Sequence, residues 1–159
     1  MFVYNLKKED AVMENRICPL INKAALYHKR LMAKMLERFE VTYAQYHVLK
    51  TIKEHQSLTA KEILVHLDTD KATLSGVLNR LEQKNLITRT KDENDRRLLH
   101  VHLTKAAGAL LEAIRTKEKE CEESISKGIK NRELKNFLNV MDKIIDNQLE
   151  KLDELSQED

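Results

Sequence analysis

Apolar residues recur through most of this chain at three- and four-residue spacings, and the breaks in that rhythm mark its elements. Ile17, Ile21, Ala24, Leu31 and Met35, with His28 in register, predict a long helix from Ile17 to Phe39. Pro19 falls in its first turn, where a missing N–H removes no intrahelical bond. Glu40 and Val41 close it, and Thr42-Tyr43-Ala44-Gln45 is a capping box that opens a second helix. Tyr46, Val48, Leu49 and Ile52 form the apolar set of that helix, which ends near His55. Thr59 and Glu62 make another box, followed by Ile63, Leu64 and Leu67 on one side. Asp68-Thr69-Asp70 then interrupts the pattern and supplies oxygen acceptors for the next N-terminus. In the helix after it, Leu74, Val77, Leu78 and Leu81 lie on one stripe. Residues 1–15 carry scattered apolar groups (Phe2, Val3, Tyr4, Leu6, Val12) and suit a loose arm or a short extra helix.

From Leu86 the period changes to two. Leu86 to Thr90 reads as a strand, and in the return strand Leu99, Val101 and Leu103 alternate with Leu98, His100 and His102. The segment Lys91 to Arg97 between them is too polar to pack. Thr104 can cap a further helix through Leu110, Leu111 and Ile114 to about Lys127, with Gly128 as its stop. Asn131 is placed to cap the last helix. There Leu134, Leu138, Met141, Ile145, Leu152 and Leu155 follow a heptad in which Gln148 fills the one polar slot. No later segment covers that stripe. It must pack on the first helix, on a second copy of the chain, or on both.

The outer face of the helix after Asp70 carries Lys71, Thr73, Ser75, Gly76, Asn79 and Arg80. Small, polar and cationic groups suit a helix lying in a DNA major groove, although this face alone suits a solvated surface better. The polar ribbon that follows reverses the preference. Two short helices followed by a two-stranded ribbon with arginines at its tip form a winged helix.

Charge supports this by its distribution. The formal net charge is only +2, but Lys71 to Arg97 holds seven Lys or Arg against four acids. Asn131 to Asp159 holds four against eight. A basic centre and an acidic tail fit one face meeting phosphates and another avoiding them. Catalysis finds no footing: Gly76, Gly108 and Gly128 build no phosphate loop, and there is no HExxH and no nucleophile elbow. His28, His47 and Cys18 do not converge on a metal, so no cofactor is expected. Without a signal peptide or an apolar run that could span a bilayer, no membrane partner is expected. Cys18 and Cys121 form no CxxC pair, which suits a reducing cytoplasm.

In order and spacing, TYAQYHVLKTI, SLTAKEI, DKATLSGVLNRLEQKNLITR, the Asp95-Arg96-Arg97 tip and HLTKAAGALL resemble the multiple antibiotic resistance regulator (MarR) family. The resemblance spans roughly Cys18 to Leu111 and weakens beyond. It implies a mainly α fold with a small β-wing, a winged helix-turn-helix with long N- and C-terminal dimerisation helices. The arrangement is an arm and first helix at 1–41, a DNA-binding lobe at 42–103 and dimerisation helices at 104–159. The implied function is a sequence-specific transcriptional regulator, a homodimeric repressor on double-stranded DNA. Thr73, Ser75 and Asn79 become the implied base-edge contacts, and Lys71, Arg80 and Lys61 the phosphate contacts. In the wing, Arg97 matches the family's groove-entering arginine and Asp95 its orienting partner, with Arg89, Lys91 and Arg96 on the backbone. For each cation the alternative is a solvated surface charge. A winged helix serving only as a protein–protein module also stays open.

Many members of that family are released from DNA by phenolic or other small lipophilic molecules, and Tyr43, Tyr46 and His47, with Asn22 and His28, could line such a pocket here. Each is equally readable as a packing or surface residue. Cys18 stands at the same distance from TYAQY as the reactive cysteine of the family's organic-peroxide sensors. The tyrosines that support that thiolate are replaced by Asn22 and Met32. A buried, inert thiol is the favoured reading, with a thiol sensor as the alternative.

Overall fold

A computed structural model describes residues 16–67, 69–92, 95 and 98–157. The arm at 1–15 and the tip residues Arg96 and Arg97 lie outside the described residues. Helix α1 (Ile17–Leu36) runs into a 3-10 turn (Glu37–Phe39), and α2 (Tyr43–His55), β1 (Leu58–Thr59), α3 (Ala60–His66) and α4 (Lys71–Gln83) follow. Strands β2 (Ile87–Lys91) and β3 (Leu99–Leu103) precede α5 (Lys105–Ile125) and α6 (Asn131–Gln157). The chain forms two compact units, Met1–Arg115 and Thr116–Asp159.

Capping chemistry sets the helix starts in the first unit. Thr42 accepts from the Gln45 amide while the Gln45 side chain accepts from the Thr42 amide, and Thr59 and Glu62 repeat the arrangement. Asp70 accepts from the Thr73 amide at the start of α4. Helix α4 ends in a turn that the pattern of apolar residues does not announce. Asn85 adopts left-handed φ 54°. Its N–H donates to Glu82 O, and the Leu86 N–H reaches back to Leu81 O. This double closure is a Schellman motif with Leu81 and Leu86 both buried, and it moves the strand start from Leu86 to Ile87.

The sheet has three strands in the order β1-β3-β2, all antiparallel. The sequence pattern predicts two. Leu58 and Thr59 pair with Val101 and His100, so the residue that caps α3 also closes the sheet edge. Val101 and Ile87 are fully buried, whereas Leu99 is exposed where the ribbon runs out beyond the core. Leu36, Leu49, Ile52, Ile63, Leu81 and Ile114 are the innermost side chains of that core.

Along α1 only Met32 and Leu36 are buried. Ile17, His28 and Leu31, expected on an inward stripe, stay exposed in the protomer. In the second unit, Gly128 takes φ 83° and ends the turn after α5. Asn131 is the first helical residue of α6 and not its cap: the Lys130 carbonyl accepts the first bond from Leu134 N–H, and Glu133 accepts from the Lys130 amide. No residue of α6 is buried, and Phe137, Leu138, Ile145, Leu149, Leu152 and Leu155 are about half exposed.

Candidate nucleic-acid interface

Helix α4 is committed on one side and open on the other. Leu74, Val77, Leu78 and Leu81 are buried, which fixes its roll and leaves Lys71, Thr73, Ser75, Asn79 and Arg80 exposed together. The Thr73 hydroxyl donates to the Asp70 carboxylate, and this bond, followed by the Thr73 amide, holds Asp70 below the usual carboxylate range. Arg80 folds back along the helix, its Nε donating to Gly76 O at 3.1 Å. A Cβ at Gly76 would come within 3.3 Å of the Arg80 guanidinium, which would have to give by a few tenths of an ångström.

A cavity of about 350 Å³ opens where α3, α4 and β2 meet. Lys61, Lys71, Ser75 and Arg89 rim it over a floor of Leu64, Leu74 and Leu78. Three cations from three separate elements thus share one concavity. Arg89 is held in place: its Nη2 donates to Asn79 Oδ1 at 2.7 Å, and its Nε lies 3.5 Å from Glu82 Oε2 without hydrogen-bond geometry. Lys91 and Asp95 are exposed at the wing. The structure therefore brings Lys61, Lys71, Ser75, Asn79 and Arg89 together, a grouping of α3, α4 and β2 that linear spacing does not show.

A second cavity, of about 330 Å³, lies on the other flank of α4. Tyr43 and His47 line it with ring centroids 4.2 Å apart, above Val48, Leu67, Leu74 and Val77. Lys29, not singled out from sequence, and Thr69, read there only as part of a helix-breaking run, complete it, with Thr73 at its edge. Tyr46 is 3% exposed and belongs to the core, not the cavity. Asn22, His28 and Cys18 sit on exposed parts of α1 away from this lining. Cys18 is exposed, contrary to the expected buried thiol, because only the last turns of α1 reach the core. Among the described residues, no group of three or more His, Cys, Asp or Glu could hold a metal ion. No helix among them is long and apolar enough to cross a membrane.

Helix α3, the exposed polar face of α4 and the β2–β3 ribbon define a winged-helix, DNA-binding class of protein. The family model for the MarR family matches residues 41–99. The organic hydroperoxide resistance transcriptional regulator of Bacillus subtilis is 36% identical over 99 residues, 62% of this chain and 67% of that protein. The transcriptional repressor MdtR of the same organism is 41% identical over 83 residues, 50% of this chain and 53% of its own length. Staphylococcus aureus MepR, solved in a DNA complex, superposes with a TM-score of 0.70 at 26% identity, covering 83% of this chain and 96% of that one. The chain belongs to the MarR family of DNA-binding transcriptional regulators.

Proposed function

We propose that this regulator is a homodimeric repressor that grips a pseudo-palindromic duplex through α4 and the wing and releases it when a small phenolic or lipophilic molecule binds. The observation that carries this reading is the convergence of Lys61, Lys71 and Arg89 beside the exposed face of α4. In this reading Thr73, Ser75 and Asn79 meet base edges, while Lys61, Lys71 and Arg80 meet phosphates. Because Arg89 occupies Asn79 Oδ1, the Asn79 amide N–H groups are what remain for a base acceptor. Arg97 enters the minor groove, oriented by Asp95, with Lys91 and Arg96 on the backbone.

The exposed apolar residues of α1 and α6 support pairing with a second copy. Two reading helices then address half-sites about 10 base pairs apart. The cavity beside Tyr43 and His47 offers an apolar floor with a phenol, an imidazole and the Lys29 amine at its rim, which suits an aromatic acid. Occupancy that shifts α4 relative to α2 alters the fit to DNA, and by linkage DNA weakens the ligand by the same factor, typically about 5–150-fold. The compartment proposed is the cytoplasm, where such regulators meet DNA.

A second reading is favoured by one observation: Cys18 is exposed, and one relative is an organic hydroperoxide resistance regulator. A hydroperoxide would oxidise its thiolate to a sulfenic acid and leave as the alcohol. Met32, at one supporting position, is buried and offers no hydroxyl.

The test is an anisotropy titration of the protein–DNA complex with a salicylate-like phenol, then with an organic hydroperoxide, in wild type and Cys18→Ser. Release by the phenol in both proteins supports the cavity, and release by peroxide in wild type alone supports the thiol. Arg97→Ala is expected to reduce the slope of log affinity against log salt by about 1. An unchanged slope removes the wing from the interface.

A further inference from the structure

Arg89 follows the buried Ile87 two residues along β2, and strand alternation puts both on the side where β2 returns beside α4. There its Nη2 donates to Asn79 Oδ1 at 2.7 Å, and its Nε lies 3.5 Å from Glu82 Oε2. Asn79 and Glu82 stand three residues apart on α4 and so share a face. The buried Leu78 and Leu81 fix the roll of the helix at this level and leave both side chains exposed. Arg80, the other arginine of this helix, is engaged with the Gly76 carbonyl.

The chemistry of the pair leaves the Asn79 carboxamide one orientation. A guanidinium carries five N–H donors and no acceptor, so it faces the oxygen of the amide and not its NH2 group. Turned the other way, the amide would set N–H against N–H beside a positive charge. The bond is charge-assisted, and the Arg89 side chain is only 26% exposed, so water screens it only partly. What Asn79 holds outward is therefore a pair of donors.

That orientation bears on the base it would read. A free asparagine takes adenine by a bidentate pair, accepting from N6 and donating to N7. With the oxygen held by Arg89, the outward donors match the two acceptors of guanine, N7 and O6, whereas on adenine the N6 amino group opposes them. The arginine also fixes the asparagine rotamer before a duplex arrives, which lowers the ordering cost of binding.

We propose that Arg89 is a positioning residue that sets specificity: by holding Asn79 with its N–H groups outward, it makes Asn79 select guanine over adenine in the major groove. The proposal rests on the reading above that α4 meets base edges.

The experiment selects duplexes from a random-sequence pool with the full chain, as wild type, Arg89→Met, Asn79→Ala and the double variant. The base pair read by Asn79 is the one whose preference Asn79→Ala abolishes. Wild type should favour guanine there by roughly five- to tenfold over adenine, and Arg89→Met should favour adenine. In the Asn79→Ala background, Arg89→Met should change no base preference. A role for Arg89 in phosphate contact alone would weaken all sequences alike and leave the base unchanged. Arg89→Lys, which also only donates, should keep guanine, and it carries the test if Arg89→Met does not fold. A second readout needs no DNA: nitrogen relaxation of the Asn79 side-chain amide should show it rigid in wild type and mobile in Arg89→Met. The same preferred base in wild type and Arg89→Met would overturn the proposal, whatever the amide does, as would adenine in wild type. If Asn79→Ala alters no base preference at all, the reading of α4 as the base-contacting helix fails at Asn79 and the proposal falls with it.

Discussion

The two compact units treat their apolar residues in opposite ways. Among the described residues, every buried apolar side chain lies between Met32 and Ile114, in the first unit. Helix α6 carries comparable side chains at regular spacing and buries none of them. The local patterns are equally clear in both regions, so periodicity tells which face of a helix is to be covered but not what covers it. Most of α1 apart, the first unit finds its cover within the chain. The stripe on α6 is satisfied, in the dimeric reading, only by another molecule.

The largest expected effect tests the self-sufficiency of the first unit. Ile52→Ala removes a side chain with no solvent exposure and should cost about 2–5 kcal/mol, read from urea unfolding followed by circular dichroism. If the loss is well under 1 kcal/mol, Ile52 is not central to that core. An intermediate effect is expected at α6. Leu138→Lys with Ile145→Lys places charges on the exposed stripe and should halve the mass seen in sedimentation, leaving the unfolding of the first unit near its wild-type midpoint. A dimer that survives both substitutions would send the interface elsewhere. The smallest effect concerns acid. The Thr73 hydroxyl and amide lower the Asp70 pKa, and the Thr59 amide and hydroxyl lower that of Glu62. Lowered folded-state values give stability that is present above the unfolded-state values and is lost as pH falls through the folded ones. Asp70→Asn keeps a capping oxygen and removes this titration, so it should lose less stability than wild type between about pH 7 and about pH 3. Parallel losses would show that the Asp70 contacts do not couple to folding.

How far the fold could be read from the chain follows the range of the interactions. The capping boxes at Thr42 and Thr59, the buried stripe of α4 and the β2–β3 ribbon all rest on contacts a few residues apart or on simple alternation. Strand β1 escaped because two residues carry no period, and because Leu58-Thr59 already made sense as the approach to a capped helix. The Schellman turn at Asn85 was hidden for a related reason: asparagine permits left-handed φ but does not announce it. Around the first cavity, Lys61, Lys71, Asn79 and Arg89 were picked out by residue type, and the fold groups them. That Arg89 is hydrogen-bonded to Asn79 and lies beside Glu82 depends on how β2 returns beside α4. The Asp92–His100 contact depends likewise on the ribbon register, which places Lys91 opposite Leu99. In the second cavity, Tyr43 and His47 were found by their type, while Lys29 was one more lysine on a helix until the fold brought it to the rim.

The pairing of β1 with β3 also orders the folding reaction in time. Hairpin β2–β3 and helix α4 close over short stretches of chain, but Leu58 can meet Val101 only after α3, α4 and the whole wing lie between them. Loop-closure entropy makes that contact a late one, gained once the intervening elements have shortened the path. Mutations at Leu58 are therefore expected to speed unfolding more than they slow folding. In kinetic terms, two residues act as the latch on the sheet, and the rate at which they let go limits how long the lobe survives once it begins to open.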